Sequence, residues 1–391
     1  MEEKKRQGND MKRIYLDHAA TTPLDKEILE KMLPYFSEEF GNADSPHSAG
    51  RKAVAAVDDA RDTVAQLIGA KATEVYFTSG GTEADNWAMI GGGYAQKGKG
   101  RTQIILSSIE HHAVLYAAER LQNEGFDVVY LPVNEGGMVE VNSLKEIISD
   151  KTALVCVMAV NNETGVLQPI KDLAEIAHAY GALFFTDAVQ AAPHLPINVK
   201  DLGVDMLSLS SHKFYGPKGC GVLYVRSGVK IERFVGGGEQ ERGLRGGTTN
   251  VPSVVGLAAA FLKNVRGMSA ANEKIAQLST LLLQEISAVD GVIVNGSEPR
   301  IDSVLNLRVK GVQNVDLSYR MDLKGVCIAV GSACASASVK PSHVLTAMGL
   351  TEEEAKECVR ISFGKENTEE EVLLAARAFV EAVSVLRSFA K

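Results

Sequence analysis

No stretch of this sequence stays apolar over the roughly 20 residues that a bilayer-spanning helix requires. The longest apolar run, Ala153-Leu-Val-Cys-Val-Met-Ala-Val160, has the length of a buried strand, so no membrane role is expected. Cysteine is sparse and scattered. The five residues Cys156, Cys220, Cys327, Cys334 and Cys358 include no Cys-x-x-Cys pair, which argues against a disulfide framework and against a zinc or other metal site. Reduced thiols in the cytoplasm are the simpler reading. A basic surplus is also missing: the net charge is −8, so no general nucleic-acid-binding face is expected. The Walker pattern is absent, and the glycine clusters at 91–93 and 236–238 lack the context of a dinucleotide fingerprint. No secretory signal is visible, because residues 1–10 are charged and read as a frayed tail. Neither internal repeats nor low-complexity segments occur.

What is present suits a globular chain with a large core: 45% hydrophobic and 23% charged residues over 391 positions, a length for two or three domains. Helix-like segments at 25–36, 50–68, 82–96, 111–123, 170–180 and 252–265 alternate with strand-like runs at 75–78, 103–107, 128–132, 153–160, 182–186, 205–209 and 221–225. Val54, Val57, Val64, Leu67 and Ile68 recur with the helical period. The nearly all-apolar strands at 103–107 and 153–160 suit burial on both faces. This alternation predicts an α/β domain with a mostly parallel sheet. After residue 266 the pattern changes. A helix at 268–289, strands near 291–295 and 303–309, a helix near 314–323, strands near 326–330 and 358–363 and a last helix opened by the capping box Thr368-Glu-Glu-Glu371 predict a smaller α+β domain. The expected organisation is a tail at 1–10, a segment at 11–24 that packs with the small domain, a large domain at 25–265, and a small domain at 266–391 that carries Cys334.

The segment Ser208-Leu-Ser-Ser-His-Lys213-Phe-Tyr-Gly-Pro-Lys-Gly219 places one lysine between a strand and a Gly-Pro turn. The hydroxyls of Ser208, Ser210 and Ser211 and the imidazole of His212 are candidates to bind a phosphate. Upstream, Phe184-Phe-Thr-Asp187-Ala-Val-Gln190 sets a carboxylate at another strand end. A strand-end lysine, a strand-end Asp and phosphate-binding hydroxyls are what a pyridoxal phosphate (PLP) site needs: a Schiff-base amine, a partner for the pyridinium nitrogen and a phosphate cradle. Each piece has a plainer reading too, as surface polar sequence or a helix cap. Thr78-Ser-Gly-Gly81-Thr82-Glu-Ala-Asp-Asn86 joins a strand to a helix, whose N-terminus favours an anion, although an ordinary capped turn reads the same way.

Ser107-Ser-Ile-Glu-His111-His112 puts imidazoles at a third strand end, where one can stack on a flat ring and move protons, or simply sit in a loop. Asn161-Asn162-Glu-Thr-Gly165 offers amides to a cofactor or substrate, or merely turns the chain. Residues 236–248, rich in Gly and charge, read as a loop crossing between subunits or over a site, or as an exposed linker. Cys334 lies among small residues in Val330-Gly-Ser-Ala-Cys334-Ala-Ser-Ala-Ser-Val-Lys-Pro341, which suits an accessible, nucleophilic thiol. In Cys358-Val-Arg360-Ile-Ser-Phe363 an Arg stands inside an apolar strand and needs a partner, either a substrate carboxylate or a structural ion pair.

Together these motifs, from Tyr15-Leu-Asp-His-Ala-Ala-Thr-Thr22 to the C-terminal helix, resemble the cysteine desulfurases of the NifS/IscS type, PLP enzymes of the class V aminotransferase group and of PLP fold type I. The resemblance implies Lys213 as the Schiff-base lysine, Asp187 on the pyridine nitrogen, Gln190 on the ring hydroxyl and His111 stacked on the ring. Gly81, Thr82, Ser210 and His212 would hold the phosphate, with Thr248 from the second subunit of a homodimer. Asn162 and Arg360 would bind the carboxylate of L-cysteine. Cys334 matches the nucleophile that receives sulfur as a persulfide, and its surroundings match the NifS/IscS branch rather than the SufS-like one. The implied products are L-alanine and sulfur for an acceptor, either an iron–sulfur scaffold or a tRNA-thiolation enzyme. An aminotransferase or selenocysteine lyase of the same fold is the alternative, and a sulfur carrier with a degenerate site is the non-enzymatic one. Some features depart from the family. It commonly reads Asn-Pro-Ser-Ser before a His, where this chain has Asn42-Ala-Asp-Ser-Pro46-His47. The first ten residues have no counterpart, and the longer tail by which some members contact the scaffold is not matched after Lys391.

Overall fold

The computed structural model describes residues 13–331 and 341–389. Its strands in chain order are β1 (Ile14–Tyr15), β2 (Val75–Thr78), β3 (Gln103–Ser107), β4 (Asp127–Leu131), β5 (Thr152–Cys156), β6 (Leu183–Asp187), β7 (Met206–Ser210), β8 (Gly221–Val225), β9 (Val292–Asn295), β10 (Val304–Val309), β11 (Val326–Cys327) and β12 (Cys358–Ser362). Seven of them form one sheet in the order β2-β8-β7-β6-β5-β3-β4, in which only β8 runs against the rest. The α/β expectation therefore holds. The strands β5 and β7 are buried along their whole length because helices cover both faces. On one face, Ala84, Trp87 and Ala88 of the Gly81–Lys97 helix meet Ile104, Leu154 and Met206. On the other, Val57 and Val64 join Phe184, Leu207, Leu257 and Phe261.

Gly91 and Gly92 sit inside the Gly81–Lys97 helix, where glycine costs stability. Close approach explains them. A Cβ on Gly92 would lie 2.8 Å from Met206 Cε, and one on Gly91 would lie 2.9 Å from the Glu232 carbonyl.

The C-terminal part forms the antiparallel sheet β12-β10-β9, and β1 pairs in parallel with β11. Its own core gathers Ile14, Leu16, Leu305, Leu307, Ile361 and Phe379. The capping box that opens the last helix, Glu369–Phe389, is present: the Glu371 N–H donates to Thr368 Oγ1 (3.2 Å) and the Thr368 N–H to Glu371 Oε2 (3.3 Å).

One element differs from the sequence reading. The helices expected at 252–265 and 268–289 are a single helix, Val251–Ile286, 36 residues long. At 1.5 Å per residue it spans about 54 Å. Val254, Leu257 and Phe261 pack into the large core, and Ile275, Leu278 and Leu282 into the small one. Gly267 lies inside it, but an exposed glycine removes no hydrogen bond, and its cost of about 1 kcal/mol is small against packing at both ends. The two cores are thus joined by a rigid rod rather than by a linker.

The candidate active site

The site lies at the carboxyl ends of the parallel strands, where open α/β sheets bind ligands. Lys213 follows β7, Asp187 ends β6, His111 follows β3 and Asn162 lies beyond β5. These residues line one cavity of about 480 Å³, together with Gly81, Thr82, Gln190, Ser210, His212 and Arg360. The fold brings ten of the twelve expected site residues together. Thr248 is exposed and does not line this cavity, and Cys334 lies outside the described residues.

Lys213 Nζ donates to the carbonyls of Ala19 (2.5 Å) and Ala20 (2.9 Å). Those carbonyls follow β1, so the N-terminal segment contributes to the cavity wall. Gln190 Nε2 also donates to the Ala19 carbonyl, at 2.9 Å. The Asp187 carboxylate is buried and accepts from the Val189 N–H at 2.8 Å. Burial lifts it to about 6, against the Val189 hydrogen bond and the Lys213 charge.

His111 caps the His112–Asn123 helix through Nδ1, which accepts from the Ala113 N–H at 3.2 Å. Burial, with the Lys213 charge adding to it, pushes His111 down to about 4, so the ring is neutral near pH 7. With Nδ1 accepting, Nε2 carries the proton. His212 is also pushed down to about 4 by burial, and its Nδ1 lies 3.1 Å from Thr21 Oγ1.

Where Gly81 and Thr82 line the cavity, Gly80 adopts φ 154° and ψ 178°, a backbone conformation that L side chains rarely adopt. It starts a 17-residue helix whose first N–H groups have no intrahelical acceptors. Ser210, at the end of β7 two strands over, has its Cβ 3.3 Å from where a Cβ on Gly81 would stand.

Two of the three serines expected at the phosphate do not line this cavity. Ser208 is fully buried, with its hydroxyl 2.5 Å from Asp85 Oδ1. The Ser211 hydroxyl is buried on the far side, 2.1 Å from where a Cβ on Gly216 would stand. Ser211 opens the short 3-10 turn Ser211–Lys213 after β7, and Ser208 lies deep within the strand. Asn161 is likewise a brace rather than a ligand: its Oδ1 accepts from the N–H groups of Glu163 (2.9 Å) and Thr164 (3.0 Å).

Arg360, on β12, has its side chain 1% exposed and spans both parts of the fold. Nη2 donates to Asp17 Oδ1 (2.8 Å) and Nη1 to the Asn162 carbonyl (3.0 Å). Nε has no hydrogen-bond partner among the described residues. The structural ion pair and a cavity-facing guanidinium are therefore both present.

The 236–248 segment is anchored rather than free. Glu241 takes a bidentate pair from Arg61 (2.7 and 2.8 Å) and the Phe77 N–H (3.0 Å), while Arg245 pairs with Glu83 at 2.8 and 3.0 Å.

Sequence reasoning missed Asp17, Thr21, Asp85, Glu110 and Lys218. Asp85 left a signal, because a carboxylate stands on the face of the helix that carries Gly81, Ala84 and Ala88. Glu110 is fully buried; its Oε1 accepts from the Met158 N–H (2.8 Å) and the Ser107 hydroxyl (2.5 Å). Burial pushes it up to about 8. Between the ordinary carboxylate range and pH 8 the folded state holds a proton that the unfolded state has released, so this group costs stability as pH rises through that window. Glu110→Gln keeps an acceptor and cannot ionise. Its urea midpoint relative to native should therefore rise between pH 5 and pH 8; a pH-independent difference would contradict the buried acid.

The fold and this cavity define an α/β enzyme with a lysine at a strand end. The family model for aminotransferase class-V matches residues 14–374. A cysteine desulfurase IscS of Clostridium botulinum is 46% identical over 365 residues, covering 92% of each chain. A NifS-like protein of known structure superposes with TM-score 0.90 at 35% identity, covering 95% of this chain and 100% of its own. SspA in complex with cysteine gives TM-score 0.81 at 36% identity, covering 91% and 100%. The chain belongs to the class-V aminotransferase family, in its branch of NifS- and IscS-type cysteine desulfurases.

Proposed function

We propose that this chain converts L-cysteine to L-alanine and takes the sulfur onto Cys334 as a persulfide. The observation that carries the reading is the convergence of Lys213, Asp187, His111 and Arg360 on one cavity. The residues present fit PLP, the cofactor of the family. The glycine turn at Gly80 and the helix N-terminus behind it suit a phosphate. Ser210 and His212 line the same end, and the buried Asp187 suits a pyridine nitrogen. When bound, PLP supplies an electron sink for bonds at the substrate's α-carbon.

The chain's own residues do the rest. Arg360 orients the substrate carboxylate, with the Asn162 loop beside it, and so lowers the entropic cost of reaction. Asp187 provides the negative charge that favours a protonated ring nitrogen. The Lys213 amine moves the proton at the α-carbon, and neutral His111 is placed to move one through Nε2. The Cys334 thiolate attacks the substrate sulfur and the carbon–sulfur bond breaks. Its electron pair stays on the carbon skeleton, which takes up the proton. L-cysteine and the Cys334 thiol thus give L-alanine and the Cys334 persulfide, with no external oxidant.

A homodimer in which Thr248 reaches the second copy's phosphate end fits its exposure away from its own cavity. The persulfide would pass to an iron–sulfur scaffold or a tRNA-thiolation enzyme. No helix among the described residues is long and apolar enough to cross a membrane. Cys156, Cys220, Cys327 and Cys358 are free thiols, which fits a cytoplasmic enzyme.

The test is alanine release from L-cysteine with a reductant. The native protein should release alanine and Cys334→Ala should not, although it still binds PLP and cysteine. Normal sulfur turnover by the variant would remove Cys334 from the mechanism. No alanine from native, PLP-loaded protein would favour an aminotransferase or a carrier.

A further inference from the structure

Glu83 is the third residue of the Gly81–Lys97 helix and lines the cavity beside Gly81 and Thr82. Its carboxylate is engaged at both oxygens. Oε1 accepts from Arg245 Nε at 2.8 Å; Oε2 accepts from Arg245 Nη2 at 3.0 Å and from the Ser79 N–H at 2.9 Å. One carboxylate thus clasps the Ser79–Thr82 turn and a guanidinium 162 positions further along the chain. The pair is largely withdrawn from solvent, with the Glu83 side chain 12% and the Arg245 side chain 21% exposed. Burial works against the charge on Glu83, but the bonds from Arg245 and Ser79 hold its carboxyl below the usual range.

Three residues after Arg245 comes Thr248, which is exposed. The path between them is fixed. The Gly246 N–H donates to the Val235 carbonyl (2.9 Å) and the Gly247 N–H to Gln240 Oε1 (2.9 Å). Glu241 fastens the same segment to Phe77 of β2, the strand that leads into the Ser79–Thr82 turn. An ion pair this buried adds little net stability over apolar side chains, because desolvation offsets the attraction. What a bidentate pair adds is geometry: the planar fork sets the distance and angle between the two segments it joins.

We infer that Arg245 and Glu83 are positioning residues for the cofactor's phosphate: their pair holds the Ser79–Thr82 turn in register with Thr248. In the homodimer each phosphate site then depends on Arg245 twice. The subunit's own Arg245 acts through Glu83 and the turn, and that of the second copy acts through the Thr248 it hands over. The inference rests on the PLP and homodimer readings. Charge alone gives the opposite expectation for one variant. Glu83→Gln removes a carboxylate from beside an anion, which favours the anion, whereas loss of register disfavours it.

The experiment measures PLP dissociation constants and release rates from the visible absorbance, with thermal melts of the apoprotein alongside. Glu83→Gln keeps an acceptor for the Ser79 N–H but loses the ion pair, and should weaken PLP binding several-fold. Arg245→Met leaves the Glu83 carboxylate unpaired and should weaken it by about tenfold or more, the worth of a hydrogen bond to a charged group. The two residues act as a unit, so the double variant should match Glu83→Gln rather than multiply the two losses. The effect on the second copy is read in a mixed dimer of one native chain and one Lys213→Ala chain, whose visible band reports the native chain alone. Adding Arg245→Met to the Lys213→Ala chain should speed PLP release from the native one, a change that a merely local structural role would not produce. Glu83→Gln that binds PLP as tightly as native, or more tightly, overturns the inference. So does an unchanged release rate in the mixed dimer. If Arg245→Met does not fold, Arg245→Lys, which keeps the charge without the fork, replaces it in both measurements and should shift them in the same direction. Native protein that shows no visible band with PLP would mean that the cofactor reading has failed. Thr248→Val that holds PLP as tightly as native would mean that the dimer reading has failed; both differ from a failure of the pair alone.

Discussion

Lys213→Ala should abolish the visible absorbance of the PLP-loaded protein and reduce alanine formation to background. In the proposed function the amine carries two tasks: covalent attachment of the cofactor and proton movement at the substrate's α-carbon. General acid–base work alone contributes about 10²–10⁴-fold, and covalent attachment adds to that. Stability should change much less. Lys213 is half-buried and bonds two backbone carbonyls, Ala19 and Ala20, that border a cavity large enough for water to replace the amine. The checks are an absorbance spectrum, single-turnover alanine release and a thermal melt on the same preparation. A persistent visible band in the variant would show that another lysine holds the cofactor; Lys218, which lines the same cavity, would be next to replace.

Arg360→Ala should affect both binding and folding, because the guanidinium pairs with Asp17 and, in the proposed function, also takes the substrate carboxylate. Losing a charge-assisted bond to the substrate costs about 1.5–3 kcal/mol, which is roughly a 10- to 150-fold rise in KM for L-cysteine. Losing the bond to Asp17 leaves a carboxylate, 20% exposed in its side chain, without its cation. Removing one partner of a buried pair costs about 3–5 kcal/mol, and partial exposure of Asp17 places this case at or below the low end. Arg360→Lys keeps the charge but loses the planar fork, so it should recover part of the stability and little of the KM. Urea unfolding and initial rates over a range of L-cysteine separate the two effects. A KM unchanged in Arg360→Ala would make this residue a structural cation only, bound to Asp17 and the Asn162 carbonyl.

Much of the site could be read before any fold was known. Lys213, Asp187, His111 and Asn162 each follow an apolar, strand-like run, and in a parallel sheet all such ends emerge on one side. Covalent order therefore implied that they would meet. The class of the fold followed from the same alternation. Depth and facing were not legible. Ser208, Ser210 and Ser211 look equivalent as three nearby hydroxyls, yet one meets a buried acid, one lines the cavity and one turns into the core. The change of pattern after residue 266 read as a boundary between two helices, yet packing at both ends carries one helix through it.

The sequence by itself determined the class of the fold, the strand-end lysine and aspartate, and the small-residue setting of Cys334. All of these depend on local pattern: hydrophobic period, turn residues and the chemistry of single side chains. Only the tertiary structure decided that Arg360 answers to Asp17 and Asn162 across more than a hundred residues, that Ala19 and Ala20 wall the cavity, and that Asp85, Glu110 and Asp187 are all buried. Such relations are set by which elements the core presses together, and the energy of a buried charge depends on everything around it rather than on its neighbours in the chain.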